Sequence, residues 1–295
     1  MGYTCLARWP AAPPSGLQMV REHLQKNQNV QPAGTWSVSV KSYRSQLGQF
    51  PGYQNVLERT MYAITMDGNV FSLLEDPTAP TRAEVLDAAP PGQETAYLQN
   101  PPNYRHTFIT ARPPGALEQL MAQIKAPWMA VRQIASSANS RSQAAGQQIS
   151  IEGYIYTIGR DWILRIGNVI LSGGAVRGML FEAEYLPLPV FHSDQFEETP
   201  QLMSNFILSV LPPSAVGALV AVAVGDAQWE DVLWDREEHF KGTKDPVGSA
   251  EGNNDPYAWD CDDINGAEKS HWVGVDRDQR SAYLIVGALR SETLL

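Results

Sequence analysis

The alternation of hydrophobic and polar residues predicts β-strands in the first quarter of the chain. Residues 2–9 alternate loosely between two faces, which is typical of a strand. The apolar runs 61–66 and 70–74 flank Asp67 and Gly68, and an Asp-Gly pair between two such runs predicts a β-hairpin. The chain is therefore expected to begin in a sheet and to return to it through a tight turn.

A second group of strand patterns fills residues 149–185. Short polar and glycine-containing turns separate the apolar runs, and because tight turns join only antiparallel neighbours, the pattern predicts an antiparallel meander. We expect strand 2–9 to pair with this meander near Glu182, which would shield Cys5 from solvent. Four strands are expected, with Gly167-Asn168 as one of the turns, at 154–158, 162–166, 169–171 and 179–185.

Apolar residues spaced three and four positions apart predict helices around these strands. The longest is a central helix over 115–136, with a kink or break next to Pro127 because proline has no N–H to donate. Other helices are expected to begin at Ser15, at Thr199 and at Asp276. The pattern as a whole indicates an α+β protein organised around an antiparallel sheet or barrel, with one long central helix and helices near the end. Residues 283–286 also fit a strand, so periodicity alone does not decide the last element.

The composition fits one domain over residues 1–295, since 43% of the residues are hydrophobic and can form a substantial core. Two segments depart from the rest, a proline-rich stretch at 76–102 and an acidic, Gly/Asn-rich stretch at 229–270, and both are expected to be loop insertions. The net charge of −10, without a run of Lys and Arg, argues against direct nucleic-acid binding.

Membrane attachment is also disfavoured. The longest apolar run, 216–224, is about half the length that spans a bilayer. Gly2 and Cys5 together suggest a lipid-anchored adaptor, but the acylation pattern has Ser or Thr as its sixth residue, where this chain has Leu6. The strand interpretation of residues 2–9 is therefore preferred.

One pair of carboxylates suggests a catalytic alternative. Glu182 and Glu184 lie two residues apart on a predicted strand, so both point to the same face and could hold a divalent metal. Tunnel-shaped triphosphatases use such strands, but they need a second acidic pair, which the chain lacks. The preferred interpretation places Phe181 and Ala183 in the core and the two glutamates in water. No cofactor, metal site or catalytic residue is predicted.

Two stretches carry a family resemblance. The opening Met1-Gly2-Tyr3-Thr4-Cys5 and the central run YIYTIGRDWILRIGNVILSGGAVRGMLFEAEYLP resemble Mediator subunit 20, in a long form of the kind found in fungi. The order of predicted elements is similar too. The resemblance implies an antiparallel β-barrel with flanking helices, including a long central helix and a C-terminal helix after Asp276. It also implies no catalytic activity and a place in the nucleus as part of the Mediator head module.

The resemblance also implies partners. The subunit would pair with Mediator subunit 18, be tethered by the C-terminal helix of subunit 8, contact other head-module subunits, and act as a coregulator that reaches RNA polymerase II indirectly. Residues predicted to contact protein partners are Tyr154, Trp162, Arg177, Ile285 and Leu289. The remaining alternative is a metal-dependent RNA triphosphatase-like enzyme that uses Glu182 and Glu184.

Overall fold

The computed structural model describes residues 2–27, 29–49, 52, 57–125, 127–131, 148–187, 201–213, 215, 218–222, 232, 234 and 274–295. The helices are α1 (Gly16–Asn27), α2 (Arg82–Ala88), α3 (Glu94–Gln99), α4 (Ala116–Gln123), α5 (Gln201–Val210) and α6 (Gly274–Ser291). The strands are β1 (Tyr3–Pro10), β2 (Val30–Ser45), β3 (Thr60–Met66), β4 (Asn69–Glu75), β5 (His106–Ala111), β6 (Trp128–Ala130), β7 (Gln148–Ile158), β8 (Trp162–Leu171), β9 (Val176–Tyr185) and β10 (Val220–Val222).

All ten strands of the described residues belong to one antiparallel sheet. Its order is β10-β1-β9-β8-β7-β2-β3-β4-β5, and β6 pairs with the far end of β2. The sheet does not close on itself within the described residues, so the predicted barrel is a curled sheet. Helix α6 packs against β1, β10 and β4, strands from both ends of the order, and so spans the opening. The α+β prediction is confirmed.

The sheet buries side chains on both faces. On the inner face, Leu6, Phe71 and Ile151 pack with residues of α6. On the outer face, Cys5 and Phe181 belong to a second core that also contains residues of α1 and α5. Because successive strand residues point to opposite faces, β1 contributes to both cores at once.

The predicted place of the first strand is confirmed. Strand β1 pairs along its whole length with β9, with Cys5 opposite Ala183 and Leu6 opposite Glu182. Cys5 is only 7% exposed, and burial raises the pKa of its thiol to about 12.

The hairpin prediction is confirmed as well, since Asp67 and Gly68 both have positive φ in the turn between β3 and β4, as a type I′ turn requires.

The meander has three strands where four were predicted. Gly167 is not a turn residue but lies within β8, directly opposite Gly153 of β7. A Cβ atom at Gly167 would lie 3.1 Å from the ring of Trp36, and one at Gly153 would lie 1.8 Å from the carbonyl oxygen of Ile166. These glycines therefore permit close packing inside the sheet. In the sequence alone, a glycine needed for close packing looks the same as a glycine needed for a turn.

The predicted long central helix is wrong in its length. Helix α4 ends at Gln123, and Pro127 precedes the short strand β6, in which Trp128 pairs with Ser45. Proline cannot donate the backbone hydrogen bond that a continuing helix needs, so the chain leaves the helix and joins the sheet. Residues 132–147, which include the end of the predicted helix, lie outside the described residues.

The segment predicted as a loop at 76–102 contains α2 and α3. Thr81 caps α2 by accepting from the Glu84 backbone, and the Glu84 side chain accepts from Thr81 in return. Asp76 anchors the segment, since its buried carboxylate lies 2.7 Å from Arg59 and accepts from Asn103 at 2.9 Å. The second predicted insertion, 229–270, lies outside the described residues apart from Val232 and Trp234.

The predicted C-terminal helix is confirmed as α6. The helix predicted to begin at Thr199 is described from Gln201 to Val210, as α5. Among the described residues, no helix is both long enough and apolar enough to cross a membrane.

Candidate functional site

Glu182 and Glu184 lie inside the curled sheet, where they are 1% and 2% exposed. The expectation that they face water is therefore wrong. Phe181 and Ala183 do lie in a core, but that core is on the outer face, and the glutamates occupy the equally buried inner face. The prediction assumed that one face of this strand is exposed to solvent, whereas both faces of β9 are buried.

Two arginines neutralise the pair. Arg165, opposite Glu182 on β8, places Nη1 2.8 Å from Glu182 Oε1 and 2.9 Å from Glu184 Oε2. Arg277, from the first turns of α6, donates from Nη2 to Glu182 and lies 3.2 Å from Glu184 Oε2. Two carboxylates and two guanidinium groups thus form the centre of what we call the buried charge cluster.

The remaining carboxylate oxygens are also bonded. Ser281, one turn beyond Arg277, donates its hydroxyl to Glu182 Oε2. The backbone N–H of Gly2 donates to Glu184 Oε1 at 3.2 Å. Gly2 fits only without a side chain, because a Cβ there would lie 1.7 Å from the carbonyl oxygen of Tyr185. Every oxygen of the two carboxylates therefore has a partner from β8, α6 or the chain start.

The arginines set the protonation state of the cluster. Burial alone would raise the pKa of Glu182, but attraction to Arg277 and Arg165 and hydrogen bonds from Ser281 and Arg277 outweigh it and hold that pKa below its usual range. Burial lowers the pKa of Arg277, while the two glutamates and Asp278 raise it by more. The lowered pKa keeps Glu182 ionised at pH 7, in contact with the two guanidinium groups.

This geometry is suited to fixing a helix in place. A metal would need carboxylate oxygens that are here committed to arginine, serine and backbone donors. No group of three or more His, Cys, Asp or Glu residues in the described part of the chain could hold a metal ion. The cluster joins β9, β8 and α6, and so fixes the position of the helix that fills the curled sheet.

Three of the residues predicted to contact partners remain accessible. Tyr154 is half-buried, with the Arg21 guanidinium 5.3 Å above its ring. Trp162 is also half-buried and stacks on Phe206 of α5 at 3.7 Å. Arg177 is exposed on β9. The structure places these three residues on the sheet but does not bring them into one contact cluster.

The other two predicted contact residues belong to the inner core. Ile285 is 0% exposed and Leu289 is 1% exposed, because both point from α6 into the curled sheet. Packing within the chain accounts for their apolar periodicity. The pattern of apolar residues does not single out Arg277 and Ser281, although a signal exists: they precede Ile285 and Leu289 at steps of four residues, on the same helix face.

The fold and the cluster define a class of α+β proteins in which a curled antiparallel sheet encloses a C-terminal helix held by buried ion pairs. By sequence, this chain belongs to the Med20 family, described as TATA-binding related factor (TRF) of subunit 20 of Mediator complex, whose model matches residues 1–227. The chain is thus a Mediator subunit by family. A comparison with curated proteins gave no match.

Several solved structures are remotely similar. PH1819 protein from Pyrococcus horikoshii OT3 is 7% identical over 77% of this chain and 97% of its own, with a TM-score of 0.32. A putative adenylyl cyclase from Hippeastrum, HpAC1, described as having a dominant triphosphatase activity, is 11% identical over 83% and 97%, with a TM-score of 0.30. A chain of the Schizosaccharomyces pombe Mediator head module is 12% identical over 69% and 89%, with a TM-score of 0.29. The family assignment rests on the sequence match alone.

Proposed function

We propose that this protein is a non-enzymatic subunit of the Mediator head module that acts through protein–protein contacts in the nucleus. The observation that carries the proposal is the family match over residues 1–227. The buried charge cluster supports the non-enzymatic part, since the one acidic pair with a catalytic precedent is fully bonded within the chain. The protein then serves as a transcription coregulator that reaches RNA polymerase II through other subunits.

Mediator subunit 18 is the proposed direct partner, and the C-terminal helix of subunit 8 is the proposed tether of the pair. The resemblance of the opening residues and of the β7–β9 meander supports this pairing. Trp162, Tyr154 and Arg177 are the proposed contact residues, because each keeps an accessible surface. Aromatic and arginine side chains are also the types most enriched at interface hot spots.

Co-purification tests the proposal. The tagged chain is expected to recover subunits 18 and 8 from nuclear extract, and Trp162→Ala is expected to weaken recovery of subunit 18. Leu57→Ala is the matched control, since Leu57 is 58% exposed. Recovery of the chain as a free monomer, without Mediator subunits, would refute the proposal.

A triphosphatase activity is the second candidate, and one observation favours it: Glu182 and Glu184 do point into the curled sheet beside other charges. The test is phosphate release from RNA with a 5′-triphosphate end, in the presence of Mg²⁺ or Mn²⁺. We expect no release above background. Release that disappears in Glu184→Gln, a variant that keeps the shape of the side chain, would overturn the non-enzymatic assignment.

A further inference from the structure

A small aromatic pocket lies outside both large cores, within the segment predicted as a loop. Its walls are Val85 of α2, Leu98 of α3 and Tyr104, all buried, and Trp234 packs against them. The Trp234 ring meets the Tyr104 ring edge-on, with centroids 4.9 Å apart. The Arg82 guanidinium lies 5.9 Å from the Trp234 ring centre. We call this site the Trp234 pocket.

The walls of the pocket are held by contacts that do not involve Trp234. The Tyr104 hydroxyl donates to the Leu98 carbonyl at 2.7 Å, which fixes the ring against α3. Arg105 forms two contacts of 3.1 Å with Glu84, and so ties the end of the segment back to α2. These contacts hold the walls without the help of Trp234, which comes from 130 positions further along the chain.

The stretch that carries Trp234 has a second anchor. Val232 is 2% exposed and belongs to the inner core, together with residues of α6. Val232 and Trp234 are two positions apart, so their Cα atoms lie at most about 7 Å from each other, and the two cores that they enter are close neighbours at this point. The two anchors bridge the inner core and the Trp234 pocket within three residues.

We propose that the segment 76–105 is a docking module for this chain's own Trp234, and that this contact joins the proline-rich insertion to the acidic insertion predicted at 229–270. The contacts themselves identify the occupant, since the Trp234 ring packs against Tyr104 and lies beside the Arg82 guanidinium. The module thereby fixes where the acidic insertion meets the folded domain.

Hydrogen exchange of the full chain, followed by mass spectrometry, tests the proposal. In Trp234→Ala we expect amides of α2 and α3 to exchange at least about tenfold faster, because the pocket loses the side chain that covers it. Amides of β7 and β8 should keep their rates. Trp234→Phe, which retains an aromatic ring, should restore most of the protection, and Leu57→Ala is the control for a general effect of truncation.

Two outcomes would overturn the proposal. One is unchanged exchange of α2 and α3 in Trp234→Ala. The other is the same acceleration in β7 and β8 as in α2 and α3, which would make Trp234 a residue of general stability. Arg82→Gln provides a milder variant should Trp234→Ala fail to fold: it removes only the guanidinium beside the ring, and it should raise exchange in α2 and α3 by a smaller factor. Identical rates in Arg82→Gln and the wild type would count against the proposal.

Discussion

Replacing Arg277 by methionine is the sharpest test of the buried charge cluster. Methionine keeps most of the volume of the arginine stem but removes the guanidinium that Glu182 and Glu184 share. Counting Asp278, which lies 3.0 Å from Arg277 Nη1, the substitution changes the local charges from two positive and three negative groups to one positive and three negative. Removing one partner of a buried ion pair and leaving a charge uncompensated costs about 3–5 kcal/mol. We expect the free energy of unfolding at pH 7 to fall by about that amount.

The pH dependence of this loss gives a second readout. In the wild type the pKa of Glu182 is lowered, so its contribution to stability is present above the unfolded-state pKa and is lost as the pH falls. In Arg277→Met burial is no longer outweighed, and the pKa of a buried glutamate should rise. Such a group destabilises the fold when ionised and is relieved by protonation. The difference in stability between the two proteins should therefore shrink between pH 7 and pH 5.

The assay is urea unfolding followed by far-UV circular dichroism at both pH values. Arg44→Met is the matched control: Arg44 is 55% exposed and lies 3.6 Å from Glu58, and loss of such a surface pair should cost less than about 0.5 kcal/mol. The double variant Glu182→Gln/Arg277→Met restores charge balance and should be more stable than Arg277→Met alone. A loss below about 1 kcal/mol for Arg277→Met, or a loss that does not change with pH, would refute the reasoning.

Three further predictions follow from the packing. Gly153→Ala should destabilise the sheet by about 3 kcal/mol or more in thermal unfolding, because its Cβ has no space, whereas Gly173→Ala, with nothing within 4 Å of the new atom, should be nearly neutral. Ile285→Ala should lower the unfolding free energy of the isolated protein by about 2–5 kcal/mol, while Leu120→Ala, at a site 53% exposed, should change it by less than about 0.5 kcal/mol. With a pKa of about 12 and little exposure, Cys5 should resist alkylation at pH 8 until urea unfolds the chain, as peptide mass spectrometry can measure; rapid labelling of the native protein would contradict its burial.

Local sequence patterns were sufficient to predict elements that depend only on neighbouring residues in the chain. The Asp67-Gly68 pair fixes a hairpin because positive φ is needed at both turn positions. The alternation in residues 2–9 predicts a strand, which the structure shows. Periodicity left residues 283–286 open between helix and strand, and the family resemblance favoured the helix that the structure shows. The opening and the meander also carried enough of the family pattern to identify it.

Only the tertiary structure shows which residues from other parts of the chain pack against a given side chain. Gly167 was predicted to lie in a turn, but in the structure the Trp36 ring occupies the space that a side chain there would need. Ile285 and Leu289 were predicted to contact a partner, but in the structure both lie inside the curled sheet. Glu182 and Glu184 read as solvent-facing because a single strand does not reveal that both of its faces are covered. One of their two arginine partners, Arg277, is 95 positions from Glu182 in sequence. Sequence periodicity shows which residues share a face, but only the packed chain shows what that face meets.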